Sequence, residues 1–268
     1  MVKKQLLSCS IIILALLGTK VVQQDGFANN INDEEQPLKV WQPDEDIALV
    51  DLKNAYLDGL EFANQKIPFD DVLVEKRLFR HLKTYSKNIK NSPNFLRNKS
   101  SDMNTIADIL QKYGIPEDFK YIPIVESNLK SDALSPKGAY GYWQFMPATA
   151  RSYGLKVNGQ VDERKDLIKS THAAAKYFKA LYEEFGDWAL VAAAYNVGDG
   201  NLKKAIKRQK EDDYFKLKLN SETSQYVYKI IAIKEVLERP NHFKYEWNDK
   251  TLYAWDAEDT QTKNTGLF

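Results

Sequence analysis

Apolar residues recur at steps of three and four through most of the chain, a spacing that predicts amphipathic helices. Runs of alternating apolar and polar residues are too short to predict a sheet-based core. The sequence therefore predicts a mainly α architecture. The apolar stripes are Leu49, Leu52, Tyr56 and Leu60; Leu78 and Leu82; Ile106, Ile109, Leu110 and Tyr113; Ala174, Phe178, Leu181 and Phe185; and Val227, Ile230, Ile233 and Leu237.

Proline, glycine and hydroxyl residues indicate where several of these helices begin and end. Pro147 fits the first turn of a short helix that we expect to end at Gly154. Ser170 or Thr171 is expected to cap the next helix, and Gly186 to end it.

Two further helices follow in the C-terminal half. Residues 188–195 are almost wholly apolar, which predicts a helix buried on all sides, and we expect Gly198 and Gly200 to end it. The last helix is expected to stop before Pro240.

The N-terminus has the pattern of an export signal. Lys3 and Lys4 precede an apolar stretch over residues 6–22, which is typical of a secretory signal peptide. Polar interruptions leave this stretch short of the ~20 apolar residues of a membrane span. Lipidation at Cys9 is disfavoured because most of the apolar run follows that cysteine. We therefore expect export to the periplasm or cell envelope, with an uncleaved N-terminal membrane anchor left open as an alternative.

Composition changes along the chain divide it into five predicted segments. Residues 29–46 are polar and acidic, as in a solvated linker, and residues 241–268 form a short polar segment. The predicted segments are a signal peptide or anchor (1–28), an acidic linker (29–46), a helical subdomain (47–99), a catalytic domain (100–240) and a polar C-terminal tail (241–268).

Charge and metal-ligating residues exclude several classes of function. Thirty-eight Lys and Arg against thirty-seven Asp and Glu give a net charge of +1, which argues against a nucleic-acid binder. One cysteine permits no internal disulfide, and His81, His172 and His242 lie far apart in sequence. We expect no metal site and no cofactor.

Glu126 is the first candidate for chemistry. It follows the apolar run Tyr121–Val125, and apolar neighbours disfavour the charged form of a carboxyl and raise its pKa. A raised pKa is the property of a glycosidase general acid. Taken alone, however, a Glu that ends an apolar helix is more often only solvent-facing.

Two other segments bring groups that suit a sugar-binding cleft. Residues 135–147 form a loop rich in glycine and aromatic residues, where backbone can approach a ligand closely. Tyr195 and Asn196 stand at the end of the buried helix, where a phenol and an amide can project into a cleft. Structural alternatives remain open: Trp143 as core filler and Asn196 as a helix C-cap.

The order of four blocks resembles the catalytic domain of the lytic transglycosylase family, and its membrane-bound lytic murein transglycosylase D branch in particular. The resemblance covers residues 100–240, about half of the chain. The blocks are Glu126-Ser127, Gly141-Tyr142-Trp143-Gln144, Ala194-Tyr195-Asn196 and Glu222-Thr223 with Tyr226-Val227.

The resemblance implies a lysozyme-like fold of the goose type, with an N-terminal helical extension. It implies cleavage of the MurNAc–GlcNAc β-1,4 bond of peptidoglycan glycan strands without water, leaving 1,6-anhydro-MurNAc ends. Glu126 would then be the acid and the subsequent base. The residues expected to contact substrate are Ser127, Gln144, Met146, Tyr195 and Asn196. Tyr226 is expected to contact Glu126 and to belong to the same substrate-binding site.

Two alternatives of different kinds remain open from the sequence. A hydrolytic muramidase on the same fold would need a second carboxylate ~5–9.5 Å from the first, and Asp132, Asp162 or Asp199 could supply it. A non-catalytic peptidoglycan-binding module would have no need of a desolvated acid. The chemical nature of the product ends separates all three.

Overall fold

Helices dominate the part of the chain that the computed structural model describes, residues 45–90 and 99–239. The prediction of a mainly α fold is confirmed. The α-helices are α1 (Glu45–Asp58), α2 (Val72–Lys90), α3 (Ser100–Lys112), α4 (Ile122–Ser127), α5 (Pro147–Ser152), α6 (Leu167–Phe185), α7 (Trp188–Val197), α8 (Asp199–Gln209) and α9 (Tyr226–Glu238). Short 3₁₀ helices span Glu117–Tyr121, Glu163–Lys165 and Thr223–Gln225, and β1 (Glu61–Phe62) pairs antiparallel with β2 (Gln65–Lys66).

Several predicted segments lie outside the described residues. These are the signal peptide, the C-terminal tail, and all of the acidic linker except its last two residues, which begin α1. Within residues 45–90 and 99–239, no helix is both long enough and apolar enough to cross a membrane.

Helix α7 lies in the middle of the core, as its apolar sequence predicts. Residues 189–194 are all buried, and α7 packs against α6 on one side and α9 on another. Phe178 of α6 lies between two other aromatic side chains, with ring centroids 4.8 Å from Phe119 and 5.7 Å from Trp143. Trp143 is fully buried, and its Nε1 donates a hydrogen bond to Thr171 Oγ1 at 3.0 Å. The indole therefore fixes the loop that precedes α5 to the core.

Two predicted helix boundaries are wrong. Asp166, rather than Ser170 or Thr171, caps α6: its Oδ1 accepts from the Lys169 backbone N–H at 2.9 Å. Gly198, with φ +87°, ends α7, but Gly200 lies inside α8, which starts one residue after Gly198. Glycine near the start of a helix carries a smaller penalty than in its middle, so it did not end helical structure here.

A buried ion pair joins the β1–β2 hairpin to the rest of the core. Asp118 Oδ2 accepts from the Ala63 backbone N–H at 2.8 Å, and Asp118 Oδ1 lies 2.5 Å from Lys234 Nζ of α9. The ring of Phe62 in β1 stacks on Phe119 at 5.9 Å. Helix α2 also packs along α9. Buried residues of α2, such as Leu78 and Leu82, therefore belong to the same hydrophobic core as those of α9.

Replacing Asp118 by Asn is expected to destabilise the protein by about 2–3 kcal/mol. The amide can still accept from Ala63, but Lys234 loses its counter-charge, and breaking a well-buried pair costs roughly 3–5 kcal/mol. The Lys234 side chain is 21% exposed, so water partly solvates its charge and the expected loss of stability is smaller. Urea unfolding of both proteins measures the difference.

The control is Asp213→Asn, which removes an ion pair of the same kind at the surface. Asp213 lies 3.1 Å from Lys216, whose side chain is 66% exposed, and such pairs contribute about 1 kcal/mol or less. Equal losses for the two variants would contradict the role given to Asp118.

Candidate active site

A cleft of about 530 Å³ runs between the loop before α5 and the C-terminal end of α7. Carboxylate, amide and aromatic groups line it together. Of the residues singled out from the sequence, the cleft is lined by Glu126, Gln144, Met146, Tyr195 and Asn196. Glu222 lines it as well.

Glu126 enters the cleft from the last turn of α4. The helix is short and apolar, with Pro123 in its first turn, and Asn128 at φ +52° ends it. Burial disfavours the charged carboxylate and is the main reason that the pKa of Glu126 rises to about 7. At neutral pH a large fraction of this carboxyl therefore holds its proton.

Tyr226, the first residue of α9, contacts Glu126 directly. Its Oη donates a hydrogen bond to Glu126 Oε1, while its side chain is 1% exposed. This bond favours the carboxylate, so it lowers the pKa of Glu126 and partly offsets burial. Tyr226 orients the acid from behind and does not line the cleft.

Glu222 is a second carboxylate in the cleft that the sequence analysis did not assign to the site. Its negative charge is a further reason for the raised pKa of Glu126. Asn196 Nδ2 donates to Glu222 Oε1 at 3.3 Å, and Thr223 Oγ1 donates to Asn196 Oδ1 at 2.7 Å. The Glu222-Thr223 block of the sequence was the feature that could have identified Glu222 as a site residue.

The hydroxyls of Ser127 and Tyr195 are occupied by the protein itself. Ser127 is buried and does not line the cleft; its Oγ lies 2.9 Å from Pro123 O and 2.8 Å from Tyr142 O. Tyr195 Oη donates to Trp143 O at 2.6 Å, which leaves its ring as part of the cleft wall. Both hydroxyls tie a helix to the loop that carries Gln144.

Gln144 and Met146 form the loop side of the cleft. Gln144 has φ +50°, and its Nε2 donates to Ala133 O at 2.8 Å and to Gly141 O at 2.9 Å. These bonds hold a non-glycine residue in the left-handed region, a strained conformation that is common at functional sites. Met146 precedes α5 and is 44% exposed, so it presents an apolar surface to the cleft.

The three aspartates considered as second carboxylates lie elsewhere. Asp132 is exposed on the loop and does not line the cleft. Asp162 is paired with Arg164 at 2.6 Å, and Asp199 lines a neighbouring pocket of about 300 Å³. Among these carboxylates and Glu222, only Glu222 shares the cleft with Glu126.

Within residues 45–90 and 99–239, no group of three or more His, Cys, Asp or Glu side chains is arranged to hold a metal ion. His81 instead hydrogen bonds Gln225 at 3.0 Å, and His172 hydrogen bonds Tyr113 at 3.1 Å. Both imidazoles have packing roles.

Known proteins match part of this chain, and the family model that matches covers all the cleft residues named above except Glu222. A model of the family described as "Transglycosylase SLT domain" matches residues 104–218. Membrane-bound lytic murein transglycosylase D of Escherichia coli (strain K12) is 39% identical over 164 residues, which cover 56% of this chain and 36% of that protein. A protein named "Putative tributyltin chloride resistance protein" from Alteromonas sp. (strain M-1) is 32% identical over 153 residues, which cover 55% of this chain and 73% of that protein.

A solved structure, the 70 kDa soluble lytic transglycosylase of Escherichia coli, matches with a TM-score of 0.40 and 23% identity. That match covers 54% of this chain and 25% of the other. The chain thus spans about a third of the length of transglycosylase D and nearly three quarters of the Alteromonas protein.

Proposed function

This chain belongs to the transglycosylase SLT domain family, and from that premise we propose that it is a lytic transglycosylase of peptidoglycan. The proposed reaction cleaves the MurNAc–GlcNAc β-1,4 bond without water and leaves a 1,6-anhydro-MurNAc end. The proposed catalytic domain is residues 100–240, and residues 47–99 are proposed as its helical extension. We further propose that residues 1–28 direct export, so that the enzyme meets its substrate in the cell envelope.

The proposed reaction needs one protein carboxyl, used twice. Glu126 first donates its proton to the glycosidic oxygen as the bond from that oxygen to C1 breaks. The acetamide oxygen of the substrate attacks C1 as a neighbouring group. The Glu126 carboxylate then accepts the proton of the 6-hydroxyl, whose oxygen displaces the acetamide at C1 and closes the anhydro ring.

The position of Glu126 is the observation that carries this proposal: its carboxyl lies in the cleft at the end of an apolar helix and accepts a hydrogen bond from Tyr226. A pKa of about 7 lets one carboxyl donate a proton and take one back near neutral pH. Gln144, Met146 and the ring of Tyr195 offer a wall for the sugar rings, and Asn196 is the proposed partner of the N-acetyl group. Each of these residues lines the same cleft as Glu126.

The first test is the release of soluble muropeptides from purified peptidoglycan sacculi. Wild-type protein is expected to release them, and no release at any pH between 5 and 8 would contradict the proposal.

The charges around Glu126 predict opposite shifts of the pH profile for two variants. Activity requires protonated Glu126, so it is expected to fall as the pH rises through the pKa of about 7. Glu222 raises that pKa and Lys229 lowers it. Glu222→Gln is therefore expected to move the alkaline limb of the kcat/KM profile to lower pH, and Lys229→Gln to higher pH.

Each variant serves as the control for the other, because both replace a charge by a neutral amide. Shifts in the same direction, or no shift in either, would show that another group controls the alkaline limb.

A further inference from the structure

The loop over residues 133–146, here called the cleft loop, forms one wall of the cleft. Its strand-like pairing is limited to isolated bridges, and five backbone hydrogen bonds lie within it, three of which join residues four or more positions apart. Ser135 N donates to Ala139 O at 2.9 Å, Tyr140 N to Phe145 O at 3.1 Å, and Gly141 N to Ala133 O at 2.9 Å. The loop is also held from outside, because side chains that pack behind it bond its backbone carbonyls.

Arg164 lies behind the cleft loop and binds both of its arms. Its Nη1 donates to Gly138 O and to Phe145 O, both at 2.9 Å. Gly138 lies before the turn over residues 141–144 and Phe145 lies directly after it. One guanidinium nitrogen therefore joins the two arms of the loop, which are the segments on either side of this turn. The Arg164 side chain is 8% exposed, which places these bonds away from competing water.

Asp162 holds the guanidinium of Arg164 in the orientation that these bonds require. Its carboxylate accepts from Nε at 2.9 Å and from Nη2 at 2.6 Å. The guanidinium carbon also lies 5.2 Å from the ring centroid of Tyr140, itself part of the cleft loop. A planar fork can meet all these partners at once, whereas an ammonium group cannot.

The backbone of Arg164 contacts the same loop at Gly141. A Cβ built on Gly141 would lie 2.0 Å from Arg164 O, and Gly141 has φ +82°. Only glycine permits this approach. The side chain and the main chain of Arg164 therefore both hold the cleft loop in place.

We propose that Arg164, oriented by Asp162, is a positioning residue that fixes the cleft loop for binding of the glycan strand. Its contacts are with the loop that carries Gln144, whereas Glu126 and Tyr226 stand on α4 and α9. Loss of Arg164 should therefore impair substrate binding rather than proton transfer. The glycan substrate in this inference rests on the proposed function, whereas the role of Arg164 in shaping the loop does not.

Steady-state kinetics of Arg164→Met and Arg164→Lys on soluble glycan oligomers test the proposal. Loss of a substrate contact worth about 1.4 kcal/mol from a displaced wall weakens binding about tenfold. We expect Arg164→Met to raise KM at least tenfold while kcat stays within about threefold, and Arg164→Lys to fall between that variant and wild type. The alkaline limb of the pH profile should not move, because the groups that set the pKa of Glu126 are unchanged.

Arg151→Met is the matched control. Arg151 is an exposed arginine whose Nη1 donates to Val157 O, outside the cleft loop, at 3.3 Å. We expect its KM to equal that of wild type. A merely structural role for Arg164 would instead lower the amount of active enzyme, which reduces kcat and leaves KM unchanged.

Hydrogen exchange separates failure of this inference from failure of the proposed function. The backbone amides of Tyr140, Gly141 and Gln144 should exchange faster in Arg164→Lys, while those of α9 should not change. The exchange measurement tests the role of Arg164 in the loop even if wild-type protein cleaves no glycan. If Arg164→Met does not fold, the kinetics are measured on Arg164→Lys alone. Unchanged loop exchange, or an unchanged KM in variants of an active enzyme, would overturn the proposal.

Discussion

Replacing Glu126 by Gln is expected to lower glycan turnover at least a hundredfold, with the fold intact. Gln has nearly the same shape but holds no acidic proton, and positioned proton transfer contributes 10²–10⁴ in rate, roughly. Glu126 is the cleft carboxyl whose pKa rises to about 7, so it is the group suited to donate at neutral pH. Release of muropeptides per unit of folded protein measures the loss, and circular dichroism monitors the fold.

Asp132→Asn and Asp199→Asn make the same chemical change outside the cleft. Both aspartates are exposed, and surface substitutions of this kind change rates and stability little, so we expect turnover within about threefold of wild type. More than a tenth of wild-type turnover in folded Glu126→Gln would remove Glu126 from its catalytic role. A hundredfold drop in an aspartate variant would favour a muramidase with two carboxylates.

Removing the hydroxyl of Tyr226 is expected to give the second largest loss, mainly in kcat. Hydrogen bonds to charged groups contribute about 1.5–3 kcal/mol, which corresponds to roughly 10- to 100-fold in rate. The same bond lowers the pKa of Glu126, so Tyr226→Phe should also move the alkaline limb of the pH profile to higher pH. Kinetics over a range of pH values measure both effects.

Tyr214→Phe is the control for a buried tyrosine that loses its hydroxyl. Tyr214 Oη donates to Thr223 O at 2.8 Å and does not contact Glu126. The Tyr214→Phe variant should be less stable than wild type, but the pH profile of its activity should not shift. Equal kinetic effects of Tyr214→Phe and Tyr226→Phe, with no shift in either profile, would show that Tyr226 is only a packing residue.

The apolar run before Glu126 illustrates how much the sequence could predict. The apolar run predicted that burial raises the pKa of Glu126, although it did not predict the bounds of α4. The buried helix α7 was predictable for a similar reason. Its sequence is apolar at nearly every position, and Asp187 accepts from the Leu190 backbone N–H at its start.

Which side chains of the motif blocks face the cleft could not be predicted in this way. Ser127 and Trp143 belong to blocks that point to a site, yet both are buried and bond the protein itself. Glu222 was missed as a site residue although it stands in one of the four blocks, because no pattern along the chain shows that its carboxylate lines the cleft beside Asn196. Such juxtapositions depend on tertiary contacts that no local periodicity records.

Mass spectrometry of the product ends tests the central claim most directly. Purified sacculi are digested with wild-type protein, and the soluble fragments are compared with those from a known muramidase. We predict fragments that end in 1,6-anhydro-MurNAc and are lighter by one water than the muramidase products. Reducing MurNAc ends that carry the added water would contradict a lytic transglycosylase and show that this cleft performs hydrolysis.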